Sequence, residues 1–95
     1  MALKVRWTPI ALLDLDQAFE YISADKPEAA RSVIKKVLAG IDQLQKFPES
    51  GREGRVEGTL ELVVSTTPYV ILYRVKGEVL VVLAALHSSR KWPLA

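Results

Sequence analysis

The first residues of the chain alternate between apolar and cationic side chains. Residues 3–7 read LKVRW, which is the period of a strand with one buried face. Thr8 and Pro9 come next. Threonine can accept a backbone N–H at a helix start and proline has none to donate, so this pair predicts an N-cap and a first helical residue.

Two segments with helical spacing follow. The first is predicted to run from about Pro9 to Ser23, and the second ends near Phe47, where Pro48 stops it. Their apolar stripes are Leu12, Leu15, Phe19 and Ile22 in the first helix, and Ala30, Val33, Val37, Ile41 and Leu44 in the second. Gly40 in the second helix predicts a close helix approach there. Leaving such stripes in water would cost about 1.5–3 kcal/mol per large side chain, so the two helices must cover each other or a sheet.

The second half of the chain has the composition of strands. Residues 49–58, ESGREGRVEG, predict a loop, and three strand-like runs follow it: LELVVS, YVILYRV and EVLVVLAAL. Lys76-Gly77 predicts a two-residue hairpin turn. The last run is almost entirely apolar and is therefore predicted to be a central strand. The order β-α-α-β-β-β predicts an α+β fold, a helical hairpin packed on a twisted, mainly antiparallel sheet, in a single domain spanning residues 1–95.

Bulk composition narrows the possible functions. The chain has 95 residues, of which 49% are hydrophobic and 25% charged, and its formal net charge is only +2. Any cationic function must therefore be local. The absence of cysteine excludes disulfides and thiolate metal sites, and no metal or cofactor is expected. No apolar run approaches the roughly 20 residues of a membrane span, and no signal peptide is evident, so we expect a soluble cytoplasmic protein.

His87 is the only histidine and ends the apolar run of the last strand. Histidine is the side-chain type whose unperturbed pKa lies near neutrality, which makes it a candidate acid or base. One histidine makes no catalytic triad, and the alternative is a strand-end histidine bonded to a carbonyl. Counting back from the expected turn, Arg74 would pair with Val79 and share a sheet face with His87, at opposite ends and too far apart to touch. The alternative is that Arg74 extends into solvent near the turn or pairs with a carboxylate.

Other cations lie in two short segments. Arg52 and Arg55 in GREGR could hold a phosphate or carboxylate, or could belong to a solvated loop. The C-terminal RKWP combines two cations with an indole, which could stack on a base, pack on a partner or close the domain's own core. Taken singly, these motifs leave the function open.

Taken together, the segments VRWTPIALLDLDQAFEYI, GREGRVEGTLELVV, TPYVILYRV and LHSSRKWP resemble the RelE/ParE superfamily of bacterial toxins. The resemblance covers essentially the whole chain. It implies the toxin component of a type II toxin–antitoxin system, associated with plasmid stabilisation and growth arrest. It also implies neutralisation by a cognate antitoxin that wraps an extended or helical segment around the toxin.

The superfamily contains two functional classes. RelE-like members are ribosome-dependent mRNA endoribonucleases, whereas ParE-like members bind and trap DNA gyrase. Many relatives have arginine where Leu60 stands, and some nucleases have tyrosine where Ser88 follows His87. These departures favour the ParE-like branch and gyrase binding over the nuclease. Leu60 also suggests a third hypothesis, an inactive homologue that only binds antitoxin.

The resemblance assigns residues to each hypothesis. If the protein is an RNase, its catalytic residues would be His87, Arg74 and Arg90. If it binds a target, the contact residues would be Arg52, Arg55, Leu60, Lys91 and Trp92.

Overall fold

Two helices lie against one face of a five-stranded sheet in the computed structural model, which describes residues 2–88. This confirms the predicted α+β fold. The elements are β1 (Lys4–Trp7), α1 (Pro9–Ser23), α2 (Pro27–Lys46), a 3₁₀ turn (Pro48–Ser50), β2 (Arg52–Glu53), β3 (Leu60–Val63), β4 (Tyr69–Lys76) and β5 (Val79–His87). Strand β2 is an addition to the prediction, because two residues of the expected loop pair with β3.

The sheet has the strand order β1-β5-β4-β3-β2. Strand β1 is parallel to β5, and the other neighbours are antiparallel. Strand β5 therefore lies inside the sheet, as its unbroken apolar run predicted. No helix within residues 2–88 is long and apolar enough to cross a bilayer.

Helix α1 begins where the sequence predicted. The Thr8 hydroxyl accepts a hydrogen bond from the Ala11 backbone N–H at 3.1 Å, and proline is the first helical residue. The predicted stripe is only partly buried, since Leu12 is 53% exposed. The fully packed residues are instead Ala11 and Ala18. Small side chains at these positions let the helix backbone approach the sheet, which leaves larger apolar residues of the helix outside.

Helix α2 buries four of its five predicted stripe residues: Ala30, Val37, Ile41 and Leu44. A Cβ atom on Gly40 would lie 3.0 Å from the side chain of Leu62. The close contact at this glycine is therefore made to a side chain of β3, where the sequence predicted a close helix approach. The inner core between helices and sheet centres on Tyr73, Ile71, Leu80 and Val82, and Val5 and Trp7 of β1 pack against it.

The β4–β5 hairpin differs from the prediction in its turn. Lys76 pairs with Val79, so the turn residues are Gly77 and Glu78, not Lys76 and Gly77. Gly77 has a φ of +61°, a conformation that glycine adopts without strain. The shift moves the partner of Arg74 from the expected Val79 to Val81.

A β-bulge in β5 changes which residues face the helices. Tyr73 pairs with Val82 and Leu72 with Ala84, so Leu83 is the extra residue. Two side chains on the helix side of the sheet form hydrogen bonds with the backbone near Leu83. The Thr8 hydroxyl donates to the Leu83 carbonyl at 3.1 Å, and an Asp14 carboxylate oxygen accepts from the Ala85 N–H at 3.1 Å.

The bulge reverses which alternate residues of β5 face the helices. Before it, Val79 and Val81 lie on the outer face with Arg74, because paired residues share a face. After it, Ala85 and His87 lie on the helix side with Ile71 and Tyr69. The expectation that Arg74 and His87 share a face is therefore wrong.

Candidate functional site

His87 lies in a recess between the end of β5 and helix α1. The recess has a volume of about 340 Å³. Its lining residues are Asp14, Gln17, Ala18, Tyr21, Tyr69, Ala85 and His87. The imidazole meets the Tyr69 ring edge to face, with ring centroids 5.5 Å apart and planes at 82°. Burial is the main cause that raises the pKa of Tyr69, so this phenol stays protonated at neutral pH.

The recess contains groups that can exchange protons, and no arginine is among its described lining residues. Its described lining includes a carboxylate, two phenols and an imidazole, and none of these lining residues is arginine or lysine. Arg74 pairs with Val81, six residues before His87 in β5 and on the other sheet face. At about 3.3 Å per residue this is a separation of roughly 20 Å along the strand. Two of the three residues assigned to RNase chemistry are thus kept apart, and the third, Arg90, lies outside the described residues.

The loop arginines meet at a second site, on the outer face of the sheet beside β2. Glu61 of β3 is only 4% exposed and binds both of them. Arg55 donates to this carboxylate from its backbone N–H at 2.8 Å and from its guanidinium at 2.8 and 3.2 Å. Arg52 Nη2 donates to the same carboxylate at 3.3 Å. We call this set the Glu61 cluster.

Glu61 and Arg55 shift each other's pKa values. The Arg55 hydrogen bonds are the largest cause that lowers the pKa of Glu61 to about 2, against the opposing effect of burial. The same contact raises the pKa of Arg55. Glu61 is therefore ionised across the physiological range. Arg52 is 62% exposed and presents its cation at the surface, whereas the Arg55 side chain is 27% exposed and holds the loop against β3.

Tyr73 supports the same loop from the opposite face of the sheet. Its ring is fully buried in the inner core, and its hydroxyl donates to the Pro48 carbonyl at 2.8 Å. That hydroxyl also accepts from the Gly51 N–H at 3.1 Å. A Cβ atom on Gly51 would collide with the tyrosine hydroxyl. The glycine thus lets the chain pass directly over Tyr73 before it enters β2.

Leu60 is not part of the arginine surface. It pairs with Tyr73 and packs against the inner core on the helix side, whereas its neighbour Glu61 faces outward. Of the other predicted contact residues, Lys91 and Trp92 lie outside the described residues.

Sequence reasoning missed both Glu61 and Asp14. A signal for Glu61 existed, since it is the one charge inside LELVV and follows two arginines. Asp14 carried no such signal, because its role depends on a bulge more than 60 residues away.

Comparisons with known proteins agree over most of the chain. Residues 5–92 match the sequence profile of the family described as "ParE toxin of type II toxin-antitoxin system, parDE". A Sinorhizobium fredii (strain NBRC 101917 / NGR234) protein named "Putative toxin Y4kP" is 40% identical over 90 residues, covering 95% of this chain and 93% of that protein.

Two solved structures share the fold. A chain of the structure titled "Chromosomal ParDE TA system from P. aeruginosa" superposes with a TM-score of 0.81 at 25% identity, covering 90% of this chain and 96% of that one. A chain of the RelBE2 toxin–antitoxin complex from Mycobacterium tuberculosis gives a TM-score of 0.62 at 24% identity, covering 92% and 99%. The second likeness shows the fold alone.

Proposed function

The chain belongs to the ParE toxin family of type II toxin–antitoxin systems, and on that premise we propose that it inhibits DNA gyrase by binding, without catalysis of its own. The observation that supports this is the separation of His87 from Arg74. Cleaving RNA through its 2′-hydroxyl needs a proton acceptor, a proton donor and cations around one phosphate. Here the proton-exchanging groups and Arg74 lie on opposite faces of the sheet.

A gyrase supercoiling assay tests the proposal. Purified protein should inhibit supercoiling in proportion to its concentration, and absence of inhibition at large molar excess would refute gyrase as the target. Arg52→Gln removes the exposed cation of the Glu61 cluster and should weaken inhibition. Lys35→Gln, an exposed cation on α2, is the matched control and should leave inhibition unchanged.

We further propose that the cognate antitoxin covers the outside of α1. Ile10, Leu13 and Tyr21 are 58%, 55% and 79% exposed, although apolar helix residues normally pack inward. An amphipathic segment of the antitoxin would bury them. A partner that binds only the folded state stabilises it by about 4 kcal/mol at a thousandfold excess over Kd. The melting temperature should therefore rise in the complex and fall back with Leu13→Asp; an unchanged melting temperature would contradict antitoxin binding.

The alternative function is a ribosome-dependent RNase that uses His87. The observation in its favour is the recess, in which His87, Tyr69 and Asp14 lie together. Translating ribosomes incubated with the protein should then yield codon-positioned cuts that His87→Ala reduces. Intact messages would eliminate this alternative.

A third outcome is an inactive homologue that retains antitoxin binding. It predicts neither activity, together with tight binding of the product of the adjacent gene. Leu60→Arg should then restore growth arrest in cells lacking antitoxin, with Leu60→Met as a control that preserves side-chain volume. Equal growth of both variants at equal expression would count against detoxification at this position.

A further inference from the structure

The outer face of the sheet carries two parallel rows of side chains at the end away from His87. In the first row, Val79 of β5 lies between Lys4 of β1 and Lys76 of β4. The next row repeats the arrangement with three other residues: Arg6, Val81 and Arg74. We define the cationic patch as its four charged members: Lys4, Arg6, Arg74 and Lys76.

The four cations are accessible and uncompensated. All are exposed, and none forms an ion pair within residues 2–88. The nearest carboxylate along the chain is Glu78 in the adjacent turn, one negative charge beside four positive ones. In a protein of net charge +2, this is a strong local concentration of positive charge.

The geometry of the patch follows from sheet spacing. Neighbouring strands lie about 4.8 Å apart, so the β1 and β4 cations are about 10 Å apart across β5, and the two rows are about 7 Å apart. Long lysine and arginine stems can adjust the charged groups around these positions. The patch thus holds four positive charges at short spacing, which suits a ligand with closely spaced anions.

The chemistry of the patch favours nucleic-acid duplex over a protein or a single strand. Protein interfaces depend on aromatic and large apolar anchors in pockets, but the patch offers only two half-buried valines between its cations. Single strands are held by stacking on aromatic side chains, and none belongs to the patch. A duplex backbone, with one charge per about 1.7 Å of axis, needs only cations at suitable spacing.

We propose that the cationic patch binds the phosphate backbone of duplex DNA. The choice of DNA rests on the proposed function, because gyrase acts on DNA and a toxin bound to it would lie beside the duplex. The patch would add a contact to DNA, independent of sequence, to the protein's contacts with its target.

Salt-dependent binding to a labelled 20-base-pair DNA duplex, measured by fluorescence anisotropy without gyrase, tests the proposal. Four phosphate contacts predict a slope of log K against log salt of about −3.6, or roughly a 150-fold loss of affinity between 50 and 200 mM salt. Arg6→Gln with Arg74→Gln should halve the slope to about −1.8, a loss of roughly 12-fold over the same range. The quadruple glutamine variant should abolish binding, and Lys35→Gln should behave as the wild type.

Other results of the binding experiment would overturn the inference. A slope unchanged in the quadruple variant, with melting temperature preserved, would place the contact elsewhere. Tighter binding to polyglutamate or to duplex RNA than to duplex DNA would assign the patch to a different partner. Supercoiling inhibition is measured separately, so DNA binding without gyrase inhibition refutes only the proposed function, and inhibition without DNA binding refutes only this inference.

Discussion

Replacing Glu61 with glutamine should remove most of the stabilisation that the Glu61 cluster provides. The cluster holds the pKa of this carboxyl at about 2. Against an unfolded value of about 4.3, each pKa unit corresponds to about 1.36 kcal/mol, so the ionised carboxylate contributes about 3 kcal/mol at pH 7. Glu61→Gln keeps the shape but not the charge. We therefore expect a loss of about 3 kcal/mol and a melting temperature lower by roughly 12 to 24 °C.

The pH dependence separates this charge effect from simple packing. The pKa of Glu61 is lower in the folded than in the unfolded state, so its contribution is complete above about pH 5 and is lost as the pH falls toward 2. At pH 3 the same arithmetic leaves about 1.4 kcal/mol. Urea unfolding of wild type and Glu61→Gln at pH 7 and pH 3 should show the difference between the two proteins shrinking by about half.

A stability difference that is equal at both pH values would refute the electrostatic reasoning. Glu57→Gln is the control, because Glu57 lies in the same loop but is exposed. It should change stability by less than about 0.5 kcal/mol.

Two further substitutions test how the loop and the first helix are held. Tyr73→Phe removes the hydroxyl that links the Gly51 N–H to the Pro48 carbonyl, and should cost about 1–3 kcal/mol in urea unfolding; an unaltered midpoint would show that the hydroxyl does not anchor the loop. Thr8→Val removes both the α1 cap and the donor to the Leu83 carbonyl, and should cost about 2 kcal/mol; full stability in thermal melts would contradict both roles.

The sequence was sufficient for those parts of the fold that depend on local periodicity. The Thr8-Pro9 start of α1 and the buried stripe of α2 needed only capping rules and helical spacing. The interior position of β5, between β1 and β4, followed from its unbroken apolar run. Local rules failed at α1, where small alanines pack on the sheet while Leu12 stays outside.

The candidate site was predicted less well, because its geometry depends on long-range register. A two-residue turn placed one position later moved the partner of Arg74, and the bulge at Leu83 then reversed the facing of His87. Neither the turn position nor the bulge has a local sequence signal strong enough to change a prediction based on the alternating facing of strand residues. Glu61 could have been found as an isolated charge within a strand, but its pairing with two loop arginines required the β2–β3 contact.

The bulge at Leu83 affects which face of the sheet is available to each binding partner. Because the His87 recess lies on the helix side of the sheet and the cationic patch on the outer face, a polypeptide at the first and a ligand at the second would not compete for space. The changes in the free energy of unfolding caused by substitutions at His87 and at Arg74 should then be additive, as expected for positions separated by more than about 10 Å. One extra residue in one strand would thereby allow the toxin to bind one molecule at the His87 recess and another at the cationic patch at the same time.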